Sequence, residues 1–200
     1  MEDKLKKILT GKLICLSLSL LALSFNAALA EQTQAEQKVT ETQPGDARLF
    51  RAAFIFHFAK LTSWPEGTWN NTLAPLNICT SGNDQLADDL KRLSGKIIKD
   101  RPVSIRSLQY ARSVSDCHVL YIATSENKNY QKIIRKIRNQ PILTISELKH
   151  FTRSGGVIGL FRESGQTRFR INLDNARNTG LILSSRLLNI AVVVGDKEQQ

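Results

Sequence analysis

The chain has 200 residues, of which 42% are hydrophobic, and this is enough for one domain with its own core. Its formal net charge of +10 indicates acidic partners or anionic surfaces. The sequence contains no internal repeat, which excludes solenoid and other repeat architectures.

Residues 1–30 have the pattern of a secretory signal peptide. Lysines precede an apolar run from Leu13 to Leu23, and the cleavage motif Ala28-Leu29-Ala30 follows. A membrane anchor is the alternative, but a spanning helix needs about 20 apolar residues. We therefore expect export with cleavage after Ala30, which leaves 24 basic and 16 acidic residues and a net charge of +8. For an exported protein, this charge favours anionic lipid or acidic protein surfaces and not nucleic acid.

Two cysteines, Cys79 and Cys117, remain after cleavage. An even number of cysteines in an oxidising compartment usually pairs, so we expect one disulfide. The bond would close a loop of about 40 residues and contribute about 3 to 4 kcal/mol through loop entropy. Two buried free thiols are the alternative. The absence of a C-x-x-C motif argues against thioredoxin-like catalysis.

The first part of the expected mature chain is a polar linker at residues 31–45, which has no aromatic residue. We predict a single α/β domain at 46–195 and a polar tail at 196–200. Asp46 is expected to cap a buried helix with an aromatic end, which Pro65 and Gly67 terminate. The Trp64-Pro65 pair at its exit is interpreted either as a partner contact or as core packing.

The middle of the domain alternates between strand-like and helical segments. The strand-like segments are LNICTS, PVSIRSL, CHVLYIA and PILTI, and the helical segments are DQLADDLKRLSG and ENKNYQKIIRKIRN. Such alternation predicts a mostly parallel central sheet with helices on both faces.

The last third of the domain predicts a C-terminal β-hairpin around Ser164-Gly165-Gln166. Its second strand alternates between two faces. One face holds Phe169, Ile171 and Leu173, and the other holds Arg168, Arg170 and Asn172. The final segment SRLLNIAVVV is expected to be a helix or a helix followed by a strand.

Three histidines carry the only candidate imidazole chemistry, and none is spaced from another as a metal pair. We interpret His57, His118 and His150 as structural, with His57 neutral and hydrogen-bonded among phenylalanines. His118 follows Cys117, but adjacent strand residues point to opposite faces, which argues against a catalytic dyad. The sequence has no G-x-S-x-G motif, and the Gly155-Gly156 pair lacks the context of a phosphate loop. It therefore predicts no catalytic residue, metal or cofactor.

Charged residues on two predicted helices have simple structural interpretations. Asp88 and Asp89 precede Lys91 and Arg92, which favours a solvated charged face. The helix at 132–138 surrounds three isoleucines with basic residues, so it is interpreted as a sheet-covering helix or as an anion-facing surface. The same two possibilities apply to the hairpin arginines.

Several ordered blocks together resemble the YfiR family of exported bacterial proteins over about residues 47 to 194. These blocks include AAFIFHFAKLTSWP, GKIIKDRPVSI, CHVLYIATSE, ILTISEL, SGGVIGLF and RFRINLDNARNTGLILSSRLLNIA. The resemblance implies a compact α/β domain in the periplasm that binds and represses the sensor region of an inner-membrane diguanylate cyclase. It also implies homodimers and sequestration by an outer-membrane lipoprotein. Family members have a cysteine pair that Cys79 and Cys117 match, but a second pair, around residues 151–176, is absent here.

The leading hypothesis is therefore a non-enzymatic periplasmic repressor that lowers cyclic di-GMP. A periplasmic small-molecule binding module is the alternative, because parallel sheets form clefts at their strand ends. An unrecognised enzyme is the third hypothesis, and it would require turnover that depends on His57 or His118.

Overall fold

A computed structural model describes residues 44–69, 71–108 and 114–194, with side chains from residue 51 onward. The predicted signal peptide at 1–30, most of the linker at 31–45 and the tail at 196–200 lie outside these ranges. Within the described ranges, no helix combines the length and apolar character needed to cross a membrane.

The described residues form five α-helices and ten β-strands. The helices are α1 Pro44–Lys60, α2 Gln85–Leu90, α3 Tyr130–Ile137, α4 Leu173–Asn178 and α5 Ser185–Leu188. The strands are β1 Thr62–Ser63, β2 Leu76–Ser81, β3 Ile97–Ile98, β4 Arg101–Leu108, β5 Val119–Ile122, β6 Leu143–Ser146, β7 Ile158–Glu163, β8 Gln166–Asn172, β9 Ile182–Leu183 and β10 Val192–Val194.

Eight of these strands form one sheet in the order β10-β8-β7-β6-β5-β2-β4-β3. Neighbouring strands are parallel except at the pairs β7–β8 and β3–β4, which are antiparallel. The predicted mostly parallel sheet is therefore confirmed. The central strands are buried along their whole length, because helices cover a parallel sheet on both sides.

Two apolar clusters lie on opposite faces of the sheet. Tyr121 of β5 belongs to the larger cluster, which contains residues of α1 and α2, whereas its neighbours Leu120 and Ile122 belong to the cluster that contains α3. Consecutive strand residues point to opposite faces, so the helices lie on both sides as predicted. On α3 the isoleucines are buried and the basic residues at 132, 135, 136 and 138 are exposed, which confirms a sheet-covering helix.

Helix α1 differs from the prediction at both ends. It begins at Pro44, two residues before the expected cap Asp46, because proline is well suited to the first helical turn. It ends at Lys60, before Pro65, because Thr62 and Ser63 pair antiparallel with β9.

The histidine of α1 also differs from the prediction. His57 is exposed, although we expected it to be enclosed by phenylalanines. Ile55 and Ala59 face the core, and a helix rotates about 200° in two residues, so His57 points to solvent.

The predicted C-terminal hairpin is formed by β7 and β8. Glu163 pairs with Gln166, so the turn contains only Ser164 and Gly165, whose φ angles are 49° and 79°. Positive φ at both positions is the geometry of a type I′ turn, which matches the twist of the flanking strands. Gln166 therefore begins β8 and is not part of the turn.

The alternation along β8 holds until its last residue. Phe169 and Ile171 are buried, and Arg168 and Arg170 are exposed, as predicted. Asn172 is only 1% exposed, contrary to prediction. Its side chain caps α4 by accepting from the backbone N–H of Asn175, and its amide also donates to the carbonyl of Thr152. Leu173 consequently begins the helix and does not continue the strand.

The charged face predicted for α2 is only partly correct. Asp88 is exposed and pairs with Lys91 at 2.8 Å. Asp89 is 8% exposed, so its assignment to a solvated face is wrong. One residue rotates a helix by 100°, which places Asp89 on the side of buried Leu86 and Leu90.

Candidate functional site

The predicted disulfide between Cys79 and Cys117 is confirmed, with a Cα–Cα distance of 5.8 Å. Both residues are buried, at 0% and 4% exposure. The bond joins the middle of β2 to the residue before His118, which precedes β5. Because its sulfur is bonded, Cys117 offers no thiolate to His118, in agreement with the sequence interpretation.

His118 is held from two directions. Its ring Nδ1 accepts the backbone N–H of Asn77 at 2.9 Å, and its carbonyl accepts the indole N–H of Trp64 at 3.1 Å. An accepting Nδ1 means that the neutral ring carries its proton on Nε2. Burial is the main cause that lowers the pKa of His118, with a smaller contribution from Arg101, to about 4. The imidazole is therefore neutral at pH 7.

Trp69, which sequence reasoning did not single out, completes this arrangement. Its ring stacks on His118 with centroids 4.9 Å apart and 13° between the planes. The guanidinium of Arg101 lies 4.4 Å from the centre of the same indole. The sequence does show a second tryptophan in the loop that follows Trp64, and this could have drawn attention to Trp69. A loop sequence does not reveal, however, which distant residues the loop contacts.

The structure places Trp64 in the core. Its side chain is 8% exposed and meets Trp69 edge to face at 5.7 Å. Pro65 is half-buried against Gly180, where an added Cβ would lie 2.9 Å from the proline Cγ. The core-packing interpretation accounts for both residues, and a partner contact at Pro65 stays a prediction.

Trp69, Cys117 and His118 border a cavity of about 570 Å³, which we call the amino-end cleft. It lies beside the amino ends of β2, β5 and β6. Its lining includes Trp69, Asn77, Arg106, Asp116 and His118. Arg106 and Asp116 form an exposed ion pair at 3.4 Å. Open α/β sheets usually bind ligands at the opposite, carboxyl ends of their strands.

At the carboxyl end of β5, internal hydrogen bonds engage the main polar groups. The Asp84 carboxylate accepts from the Tyr121 hydroxyl at 2.7 Å, the Thr124 N–H at 3.0 Å and the Ala87 N–H at 2.9 Å. Burial and the charge of Asp84 raise the pKa of Tyr121 well above its usual range. This network positions α2 and the loop after β5, so we interpret it as structural.

A second cavity, of about 520 Å³, lies between the loop at 147–153 and the strands β7, β8 and β10. We call it the basic groove. Four cationic side chains line it, namely Lys149, Arg153, Arg162 and Arg170, and all four are exposed. Phe161 and Val194 add apolar surface. Sequence reasoning had identified Arg170 but not its neighbours from the loop.

The charge of the basic groove is not balanced internally. Its one carboxylate, Glu147, pairs with Arg51 of α1 at 2.9 Å, and the four lining cations form no ion pair with any described residue. Arg170 lies 3.9 Å from the centre of the Phe161 ring. This surface can therefore attract carboxylates while it offers apolar contact.

Arg168, the other predicted contact residue, lies beside the groove on the same face of β8. Its guanidinium is 3.3 Å from Glu163, and both side chains are about half exposed. Such pairs are weak, at about 0 to 1 kcal/mol, so Arg168 remains available to a partner. In the part of the chain that the structure describes, no group of three His, Cys, Asp or Glu residues could hold a metal.

Comparison with known proteins gives one family. A family model described as YfiR/HmsC-like matches residues 49–192, which is well over half of the chain. The matched range contains the amino-end cleft and all four cations of the basic groove. No curated protein sequence matches significantly.

Proposed function

The chain belongs to the YfiR/HmsC-like family, and from this membership we propose that it is an exported, non-enzymatic regulator in the periplasm. It binds the periplasmic sensor region of an inner-membrane diguanylate cyclase and lowers cyclic di-GMP. The observation that carries the proposal is the family match, because it covers nearly the whole described domain.

The basic groove is the surface on which we expect the cyclase to bind. Its unbalanced cations favour an acidic partner, and its apolar residues supply the contact area that charge alone lacks. Repression requires that the protein bind the inactive sensor more tightly than the active one, since only a difference in affinity shifts an equilibrium. The chemistry that the regulator controls then takes place in the cytoplasm, while the regulator stays in the periplasm.

The first test is the intracellular concentration of cyclic di-GMP in cells with and without the gene. Deletion should raise the concentration, and the exported protein should restore it. A version without residues 1–30 should not restore it, because it would stay on the wrong side of the membrane. Unchanged cyclic di-GMP on deletion, with the wild-type protein expressed and exported, would contradict the proposal.

The second test asks whether repression depends on the charges of the basic groove or only on the net charge of the protein. A triple variant with Arg153→Glu, Arg162→Glu and Arg170→Glu should lose repression. The matched control places the same reversal on the exposed face of α3, as Lys132→Glu, Arg135→Glu and Arg138→Glu. If both variants repress equally, the basic groove is not the contact surface. Loss only in the control would support the alternative in which α3 is the anion-facing surface.

Homodimerisation and capture by an outer-membrane lipoprotein are further parts of this proposal. Light scattering on the mature protein should give twice the mass of the chain. Co-purification from crosslinked envelopes should recover one outer-membrane lipoprotein, and recovery should increase when cyclic di-GMP is high. A monomer at cellular concentration would remove the dimer from the proposal.

The amino-end cleft supports a second candidate function, a periplasmic small-molecule binding module. Its volume is within the usual range of ligand sites, and Arg106 and Asp116 offer opposite charges at its border. Thermal unfolding with a panel of small acids, amines and zwitterions is the test. A saturable stabilisation that Arg106→Ala removes would favour this function, whereas no stabilisation by any compound would exclude it for that panel.

A further inference from the structure

The strand β10 has an unpaired and apolar edge. Among the described residues it pairs with β8 alone, at one end of the eight-stranded sheet. Val192 and Val193 are 45% and 44% exposed, and the preceding Ile190 is 66% exposed. Natural edge strands usually carry charges, prolines or covering loops that prevent pairing with another chain. Val192–Val194 contains neither a charge nor a proline, so within the described residues nothing blocks the addition of a strand to this edge.

The register relates this edge to the basic groove. Val192 lies beside Arg170 and Val194 beside Asn172, and neighbours in register point to the same face of a sheet. Val192 therefore points to the same side as Arg170, and Val194 lines the groove itself. In a strand added to β10, every second side chain would point to this side.

The charge of the basic groove indicates which kind of strand is favoured at the edge of β10. A strand added to β10 would lie about 10 Å from β8, a distance that long side chains can bridge from both directions. Glutamate or aspartate at alternate positions would approach Arg170 and Arg153, whose charges no described residue balances. A second copy of this chain would bring the same cations, and the mature chain carries a formal net charge of +8. The charge therefore favours an acidic partner over a second copy of this chain at the β10 edge.

We propose that an acidic, extended segment of a protein partner adds to the edge of β10 as a further strand and directs alternate carboxylates into the basic groove. The identification of that partner as the cyclase sensor rests on the proposed function. Main-chain hydrogen bonds to β10 supply affinity, and the cations supply selectivity for acidic sequence. The apolar side chains between the carboxylates point to the opposite face of the sheet, where they cover Val193.

The test uses a synthetic peptide of alternating valine and glutamate with blocked ends, and the isotope-labelled mature protein. Amide exchange at Val192–Val194 should slow on addition of the peptide, and binding should weaken as salt increases. The matched valine–lysine peptide should not bind. Replacement of the central residue by proline should weaken binding by roughly fivefold or more, because proline removes a ladder hydrogen bond. Equal binding of the lysine and glutamate peptides would overturn the charge argument.

Substitutions test whether the peptide binds at the edge of β10. Val193→Lys should abolish peptide binding, and Arg170→Glu should reduce it by roughly tenfold or more, the range of a charged contact. The matched control is Ile182→Lys, because Ile182 is 69% exposed on β9, which pairs with β1 in a separate two-stranded sheet. Retained binding in Val193→Lys, or slowed exchange elsewhere than β10, would overturn the proposal. A dimer that Val193→Lys dissociates, together with no peptide binding, would assign the edge to a second copy and also overturn it.

The two proposals fail in different ways. If Val193→Lys loses the peptide but still represses cyclic di-GMP, the added strand is not the route to the cyclase and the regulatory function stands. If deletion of the gene leaves cyclic di-GMP unchanged while the peptide protects β10, the regulatory function fails and the acidic strand site stands.

Discussion

The amino-end cleft and the basic groove are concave regions of similar volume, about 570 and 520 Å³, but they treat their polar groups in opposite ways. In the cleft, His118 accepts from Asn77, its carbonyl accepts from Trp64, and Arg106 pairs with Asp116. In the groove, four cations remain without a described carboxylate. The buried hydrogen bonds at His118 stabilise the fold, whereas the exposed cations of the groove, which pair with no described carboxylate, can attract an acidic partner.

This contrast predicts that changes at the cleft affect stability and that changes at the groove affect binding. The largest expected effect is at Trp64. Trp64→Ala should reduce the free energy of unfolding by about 3 to 5 kcal/mol, because it removes a buried aromatic ring and one of the two hydrogen bonds that the His118 carbonyl accepts, the other coming from the Leu143 N–H. Urea unfolding measures the loss. Partner affinity, compared at equal folded fraction, should be normal, and reduced affinity would instead support a contact at Trp64.

The second effect is that of the disulfide. Replacing both Cys79 and Cys117 by alanine should cost about 3 to 4 kcal/mol, as expected for a loop that spans 38 residues. Urea unfolding of the double variant, of the native protein and of the reduced native protein gives the comparison. Binding of the acidic peptide by the folded fraction should not change. A variant as stable as the native protein would show that the bond does not hold the amino-end cleft together.

The third effect is a dependence of stability on pH. The pKa of His118 is about 4 in the folded protein and 6.5 in its ordinary state. Between these values the unfolded chain binds more protons, so stability falls as the pH decreases from about 6.5 through about 4. The full loss is about 3 kcal/mol at 1.36 kcal/mol for each pKa unit.

Urea unfolding at about pH 7 and about pH 4.5 measures the larger part of this loss, because the remainder occurs around and below the folded pKa. His118→Asn is the control, because asparagine can accept from the Asn77 N–H and does not titrate. The variant should have a flatter pH profile in this range. Identical profiles for the variant and the native protein would show that His118 is not the group responsible.

The smallest effect on stability is at the groove. Arg170→Gln removes an exposed contact with Phe161 and should cost at most about 1 kcal/mol. The same variant should bind the acidic peptide clearly more weakly, since the substitution removes a positive charge that faces the groove. A large stability loss without a change in binding would reverse the assignment of roles to the two regions.

Sequence predicts a region well when the residues that determine its structure lie close together in the chain. The predicted strand LNICTS matches β2 at both ends, Leu76 and Ser81, because a short β-rich apolar run defines it. The hairpin and α3 were equally accessible, since their periodicity lies within one segment. The errors at His57 and Asp89 arose because similar residues surround these positions on the helix, and only the packing partner decides which side is buried.

The groove and the cleft were less accessible because distant segments build them. Lys149 and Arg153 come from a loop after β6, and they meet Arg170 only because β7 lies between β6 and β8. The pairing of β1 with β9 joins residues about 120 positions apart, from Thr62 to Leu183. Sheet order is set by non-local contacts that no single window of sequence contains. Arg170 could be identified from alternation, but its surroundings could not.

The place of β10 in the chain affects how the molecule reaches its working form. Synthesis proceeds from the amino terminus, so Val192–Val194 is the last described element to emerge. Until it pairs with β8, the Arg170–Asn172 stretch is itself a free edge, and Val194 does not yet border the groove. A nascent chain that has already formed the core around β2 and β5 would still lack the complete groove. The core around β2 and β5 thus does not depend on β10, whereas the surface we assign to recognition is complete only when β10 pairs with β8.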